Sequence, residues 1–235
     1  MRTMSIKVMR SVITVKRRDK VMTRMQHLWD INAMDQLPVH MKTCFLALVN
    51  SINETAYEVL KERGYNIIPY LRKMWADLCK GFLVEARWYH SGYTQTLEEY
   101  IRNGSTSLSV PVILGHLYFS AANPITKEAM EYIAKFPDVI RGSALVLHLS
   151  DDLRTSSASE EEARKHIKYL VGESWKKMNK ERLVDSPFSQ TYIGVAMKLG
   201  RMAQSAYLYG DGYAVQDRET KDGILLMLIE SIPLA

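Results

Sequence analysis

The residues best suited to chemistry lie in Leu147-His148-Leu149-Ser150-Asp151-Asp152-Leu153-Arg154-Thr155-Ser156-Ser157, where an apolar run from Ala144 leads into two adjacent aspartates. A hydroxyl residue, Thr155, follows four positions after Asp151. On a helix a spacing of four turns the side chain by only about 40°, so Asp151 and Thr155 share one face. A carboxylate and a hydroxyl at the end of an apolar helix are hard oxygen donors beside a greasy interior. Mg²⁺ prefers such donors and keeps waters and substrate phosphates in its remaining positions. The same residues also read as a solvated helix end, capped by Asp and Ser side chains.

Several helices must position that stretch. Met41 to Lys61 carries Phe45, Leu48, Val49, Ile52, Ala56, Val59 and Leu60 at helical spacing, and Gly64 ends it. Ile67 to Arg87 places Leu71, Met74, Trp75, Leu78, Phe82 and Ala86 on one side, before Ser91-Gly92-Tyr93. A Thr-x-x-Glu capping box, Thr96 to Glu99, opens a short helix that reads as far as Asn103. Asn103 to Pro111 is then a polar, breaker-rich gap ahead of an apolar helix over Val112 to Phe119. Such a gap is either an ordinary loop or a helix break whose freed backbone groups face a ligand.

Lys127 to Phe136 reads as an amphipathic helix stopped by Pro137, and Asp138 to Leu153 as the apolar helix that carries the aspartates. Ser159 to Asn179 has Glu160–Arg164 and Glu161–Lys165 as stabilising pairs. The next helix, opened by Ser186-Pro187-Phe188, has its stripe at Tyr192, Val195, Ala196, Leu199, Met202, Ala203 and Ala206. Ala214 to Asp222 is a polar loop of lid size, and Lys221 to Leu234 a last apolar helix. No segment alternates as a strand, so the expected fold class is all-α.

Composition agrees with a globular chain: of 235 residues, 47% are hydrophobic and 24% charged. No apolar run is long enough to cross a bilayer. Cys44 and Cys79 lie in apolar helical patterns without CxxC spacing, so both are expected as buried free thiols in a reducing compartment. The net charge of +5 is uneven. Arg2, Lys7, Arg10, Lys16, Arg17, Arg18, Lys20 and Arg24 are opposed only by Asp19 before Trp29. A transit peptide, a nucleic-acid patch and a membrane patch are all compatible with that start.

The chain resembles the class I terpene synthases of plants, most closely their monoterpene branch. The resemblance rests on Trp29-Asp30, Asp35-Gln36-Leu37-Pro38, Glu98-Glu99-Tyr100 with Asn103-Gly104, Ser109-Val110-Pro111 and His116-x-Tyr118-Phe119. Asp151-Asp152-Leu153-x-Thr155, Tyr209-Gly210-Asp211-Gly212 and Ile232-Pro233-Leu234 complete it, over about residues 28–235. The resemblance implies a class I terpenoid synthase helical bundle around an apolar cavity. It also implies Mg²⁺ (or Mn²⁺)-dependent ionisation of a prenyl diphosphate, geranyl diphosphate first, followed by carbocation cyclisation in a plastid, or otherwise in the cytoplasm. No nucleic-acid partner is implied. The family motif (N/D)D-x-x-(S/T)-x-x-x-E puts Asp151 and Thr155 in metal-ligand positions, with Asp152 or Glu160 as the third candidate. Arg201 is a candidate diphosphate contact, or a member of a surface ion pair. The break at Ser107 to Pro111 corresponds to the family's helix break, and the loop from Tyr213 to Gly223 to its lid.

Four departures set this chain apart from that pattern. The family's aspartate-rich DDxxD motif is absent upstream of Trp29, where Lys16-Arg17-Arg18-Asp19-Lys20 stands instead. Residues 1–27 are therefore read as a basic segment outside the family, arising from a reading-frame change or a mis-joined exon. The position eight residues after Asp151 is Ser159, with Glu160 one further on. One residue rotates a helical side chain by about 100°, and Ser157-x-x-Glu160 also reads as a capping box. A deletion near 157–160 is expected within the 28–235 catalytic domain. His148 occupies the place of an arginine that grips the diphosphate, although it lacks the bidentate fork. No counterpart of the family's N-terminal helical domain is expected in these residues, and the bundle is expected to be incomplete. Either the site still assembles, or the chain is a catalytically inactive truncated remnant of such an enzyme.

Overall fold

The computed structural model describes residues 34, 37–122, 124–155 and 161–208, without the side chains of Arg154, Thr155 and Leu208. The basic segment 1–27, Trp29-Asp30, residues 156–160 including Glu160, the Tyr209 to Gly212 run, the 213–223 loop and the last apolar helix lie outside the described residues. Among the described residues there are eight α-helices and no strand. They are α1 (Val39–Arg63), α2 (Ile68–Ser91), α3 (Leu97–Ser107), α4 (Val110–Ala121), α5 (Lys127–Ile133), α6 (Asp138–Thr155), α7 (Glu161–Leu183) and α8 (Gln190–Leu208).

Local chemistry sets most of the boundaries. Gly64 and Gly92 adopt φ of 75° and 67° and close α1 and α2, a left-handed conformation that a Cβ would strain. Pro69 and Pro111 sit in the first turns of α2 and α4, where a missing N–H costs nothing. The Thr96–Glu99 capping box forms at the start of α3: Glu99 N–H donates to Thr96 Oγ1 at 3.2 Å, and Thr96 N–H to Glu99 Oε2 at 2.9 Å. The Thr96 N–H first, then the Tyr93 hydroxyl, hold the Glu99 carboxyl below its ordinary range.

The core is organised around α6. It packs against α7 and α8 on one side and against α3 and α4 on the other, while α2 backs α3 and α4 and meets α1. Val139, Ile140, Ala144, Val146 and Leu149 of α6 are buried with Phe119, Met178, Ile193 and Ala196. Fully burying one such side chain contributes on the order of 1.5–3 kcal/mol. Ser143 Oγ donates to the Ala196 carbonyl at 2.8 Å and ties α6 to α8.

Several expectations need correction. The gap read over Asn103 to Pro111 is helical as far as Ser107, and only Leu108 and Ser109 break it. Ser105 and Thr106 donate their hydroxyls back to the Arg102 and Asn103 carbonyls at 2.8 and 2.9 Å, so polar residues sit inside a helix with their groups satisfied. Cys79 is buried but Cys44 is exposed. Leu60, Val195, Met202 and Ala206 face outward, so their stripes are narrower than the periodicity suggests. The Lys127 helix stops at Ile133, and Phe136 takes φ 53° just before Pro137.

Candidate metal centre

Asp151 and Asp152 fall in the final turn of α6, and both are half-buried. Thr155 is the last residue of that helix, one turn beyond Asp151. An apolar helix buried along most of its length thus delivers two carboxylates to its last turn.

The two aspartates are in different settings. The Tyr100 hydroxyl, from α3, lies 2.9 Å from Asp152 Oδ1 and 2.8 Å from Oδ2 and donates to that carboxylate. Burial and then the Asp152 charge push the Tyr100 phenol far above its ordinary range, with further contributions from Glu85 and Asp151. Tyr100 is therefore a fixed donor at any physiological pH. Three carboxylates, from α2 and α6, act on this one hydroxyl, so the corner has a negative field that favours a cation. Asn103, one turn along α3, donates to Glu85 Oε1 and to the Gly81 carbonyl, both at 3.2 Å, and joins α3 to α2.

His148 lies one turn before Asp152 on α6. Its ring packs against Tyr100 with centroids 4.9 Å apart, and its Nε2 is 3.9 Å from Asp152 Oδ2, beyond hydrogen-bond reach. That nitrogen is buried without a hydrogen bond. Arg201, on α8, is exposed and stands over the Trp175 ring, 6.0 Å from its centroid. The structure thus brings Asp151, Asp152 and His148 together at one helix end and gives Arg201 an aromatic neighbour on α7. Tyr100, Asn103 and Glu85 join the corner without having been singled out for chemistry. The signal available for the first two was their spacing: Tyr100, Asn103 and Gly104 share one face of α3.

The donor set suits a hard divalent cation. Among the described residues no three His, Cys, Asp or Glu side chains converge tightly enough to hold a metal unaided. Mg²⁺ asks for less than that, since it binds through one or two carboxylates and fills its shell with water and phosphate oxygens. A hollow of about 100 Å³ between α3, α6 and α7, lined by Ile101, Leu145, Leu149 and Leu170, is well below the roughly 300–1,000 Å³ of ligand pockets.

Comparison with known proteins identifies the family. Residues 19–170 match the metal-binding domain of the terpene synthase family. The chain is 50% identical over 226 residues to the chloroplastic myrcene synthase of Quercus ilex, an alignment covering 88% of this chain and 38% of that protein. A limonene synthase with bound 2-fluorolinalyl diphosphate has a similar structure, with a TM-score of 0.84 at 43% identity over 91% of this chain and 43% of that one. The isoprene synthase of grey poplar leaves, in complex with three Mg²⁺ ions and dimethylallyl-S-thiolodiphosphate, has a TM-score of 0.82 at 37% identity over 91% of this chain and 45% of that one. The chain therefore spans about two fifths of the length of these relatives. An all-α bundle with paired aspartates at the end of its central helix, matched along most of its length by the same family, is a member of the terpene synthases and carries their metal-binding domain.

Proposed function

We propose that this chain is the metal- and diphosphate-binding part of a plastid terpene synthase that ionises a prenyl diphosphate, geranyl diphosphate first, in monoterpene formation. The observation that carries this reading is the position of Asp151 in the last turn of α6, inside a corner made negative by Glu85, Asp151 and Asp152. Asp151 would hold Mg²⁺ (or Mn²⁺), with Thr155 one turn on as its partner and Glu160 as a further candidate. A bound divalent cation supplies the charge that stabilises the departing diphosphate. The chain's own work is to hold Asp151 at the helix end, to keep Asp152 occupied by Tyr100 and to present an apolar interior behind them. The domain boundaries that go with this reading are 28–235 for the catalytic unit, with the deletion near 157–160, and 1–27 for the basic segment, whose last residues, from Asp19 on, already fall within the family match.

A second reading, an inactive remnant, is favoured by one specific feature: Lys16-Arg17-Arg18-Asp19-Lys20 stands where the aspartate-rich motif is expected. Cations there repel Mg²⁺, and with fewer metals the leaving group loses most of its stabilisation. Incubating the purified chain with geranyl and farnesyl diphosphate, with and without Mg²⁺ or Mn²⁺, separates the two readings. The expected result is metal-dependent release of pyrophosphate and a volatile terpene, reduced by 100-fold or more in Asp151→Ala, an order-of-magnitude expectation for loss of a metal ligand. Absence of turnover from a folded, helical chain would leave the remnant reading.

A further inference from the structure

Asp151 and Asp152 are neighbours in sequence but cannot face the same way, because consecutive helical residues point about 100° apart. Which of them meets a metal depends on the rotation of the last turn of α6, and a helix end has few bonds of its own to fix that rotation. In this chain the Arg164 guanidinium of α7 donates to the Leu153 carbonyl at 2.6 Å, and α3 adds a constraint on the aspartate level itself at two successive points. One is Gly104 against His148: a Cβ on Gly104 would lie 2.6 Å from His148 Cδ2 and 2.7 Å from Nε2, so α3 approaches α6 as closely as only glycine allows. The other, one turn on, is the Tyr100 hydroxyl on both oxygens of Asp152. Tyr100 and Gly104 are four residues apart on α3, as His148 and Asp152 are on α6, so two helical ridges meet in register.

We propose that Tyr100 is a positioning residue for the metal site: its hydrogen bond to Asp152 sets the rotation of the last turn of α6 and thereby aims Asp151. This rests on the reading of Asp151 as a metal ligand. Asp152 then acts as a handle held by α3, and the Tyr100 ring, packed on His148, fixes the height of the contact. Partners that orient a ligand in this way change metal affinity by roughly 10–100-fold when removed.

The test uses the full chain with Mn²⁺ and inorganic pyrophosphate as probes, reading bound Mn²⁺ by electron paramagnetic resonance and thermal unfolding without metal in parallel. Asp151→Ala defines the background. Tyr100→Phe keeps the ring against His148 and removes only the donor. Its affinity for Mn²⁺ is expected to fall by about 10–100-fold while the metal-free melting temperature drops by a few degrees. Asp152→Asn keeps an amide oxygen for Tyr100 to donate to but takes one charge from the corner, so its affinity should fall by less than that of Tyr100→Phe and stay well above the Asp151→Ala background. Wild-type-like binding by Tyr100→Phe would overturn the positioning role. So would a loss in Asp152→Asn as large as that in Asp151→Ala, which would make Asp152 a ligand; this second variant decides the matter if Tyr100→Phe does not fold. Wild-type binding no better than Asp151→Ala would instead remove the metal site itself, and the inference with it.

Discussion

At the residue scale, the tightest steric constraint on the candidate site is Gly104. Its φ is ordinary for a helix, so the reason for glycine is space: any Cβ would enter the His148 ring. Gly104→Ala should destabilise the chain by roughly 1–3 kcal/mol, the usual cost of forcing an extra methyl into a packed contact. His148→Ala removes the obstacle, so the double variant should recover part of that loss, with a coupling of roughly 0.5–3 kcal/mol. Urea denaturation of the two single variants and the double one measures both quantities. Strict additivity would mean that the two helices can part at no cost.

At the scale of elements, α6 is anchored at both ends by residues from other helices. Its final turn is held by Tyr100, and its first turn by Glu181 of α7, whose Oε2 accepts the Val139 N–H at 2.6 Å. A carboxylate on a helix N-terminus is favourable, but this one is buried. Burial pushes the Glu181 carboxyl above its ordinary range, opposed by the Val139 N–H and the Tyr132 hydroxyl, and the Asp138 charge adds to the rise. The sign follows from that direction. A group whose folded value is raised stabilises the fold most below its unfolded value, and that contribution is lost as pH rises through the folded value. Stability from this group should therefore decline above about pH 4.5, the ordinary Glu value. Glu181→Gln keeps an oxygen for Val139 and has no charge to bury, so this part of the slope should vanish. Urea midpoints of both proteins across pH 4 to 7, as an approximate window around the ordinary Glu range, measure it.

At the scale of the whole molecule, the two cysteines report on how the bundle opens. Cys44 is exposed on α1, whereas Cys79 is buried on α2 and its thiol is pushed up to about 11 by that burial. Reaction needs the thiolate and access to it, so a maleimide at neutral pH should modify Cys44 quickly and spare Cys79 until the α1–α2 contact opens. Mass spectrometry should show one adduct on the native chain and two in denaturant, matching the two cysteines of the sequence. A second adduct formed rapidly without denaturant would indicate that α1 detaches readily from the bundle.

The sequence by itself determined the helical class, the approximate course of the helices and the arrival of two aspartates at the end of an apolar one. These depend on local periodicity, capping and turn residues: the Thr96–Glu99 box, Gly64 and Gly92 stand where their chemistry requires them. The sequence also carried the family motifs, which led to the same domain as the comparison with known proteins. Tertiary structure decided the rest. Asn103 to Ser107 read as a breaker because small polar residues favour loops, yet they are helical because smallness is what lets α3 lie against α2 and α6. Leu60 and Met202 fit their stripes by spacing and are exposed, since periodicity fixes a face but not the width that neighbours cover. The distinction between Asp151 and Asp152 likewise depends on Tyr100, more than 50 residues away in sequence. Adjacent aspartates are equivalent to any local rule, and only a second helix packed at a particular height and rotation makes them different.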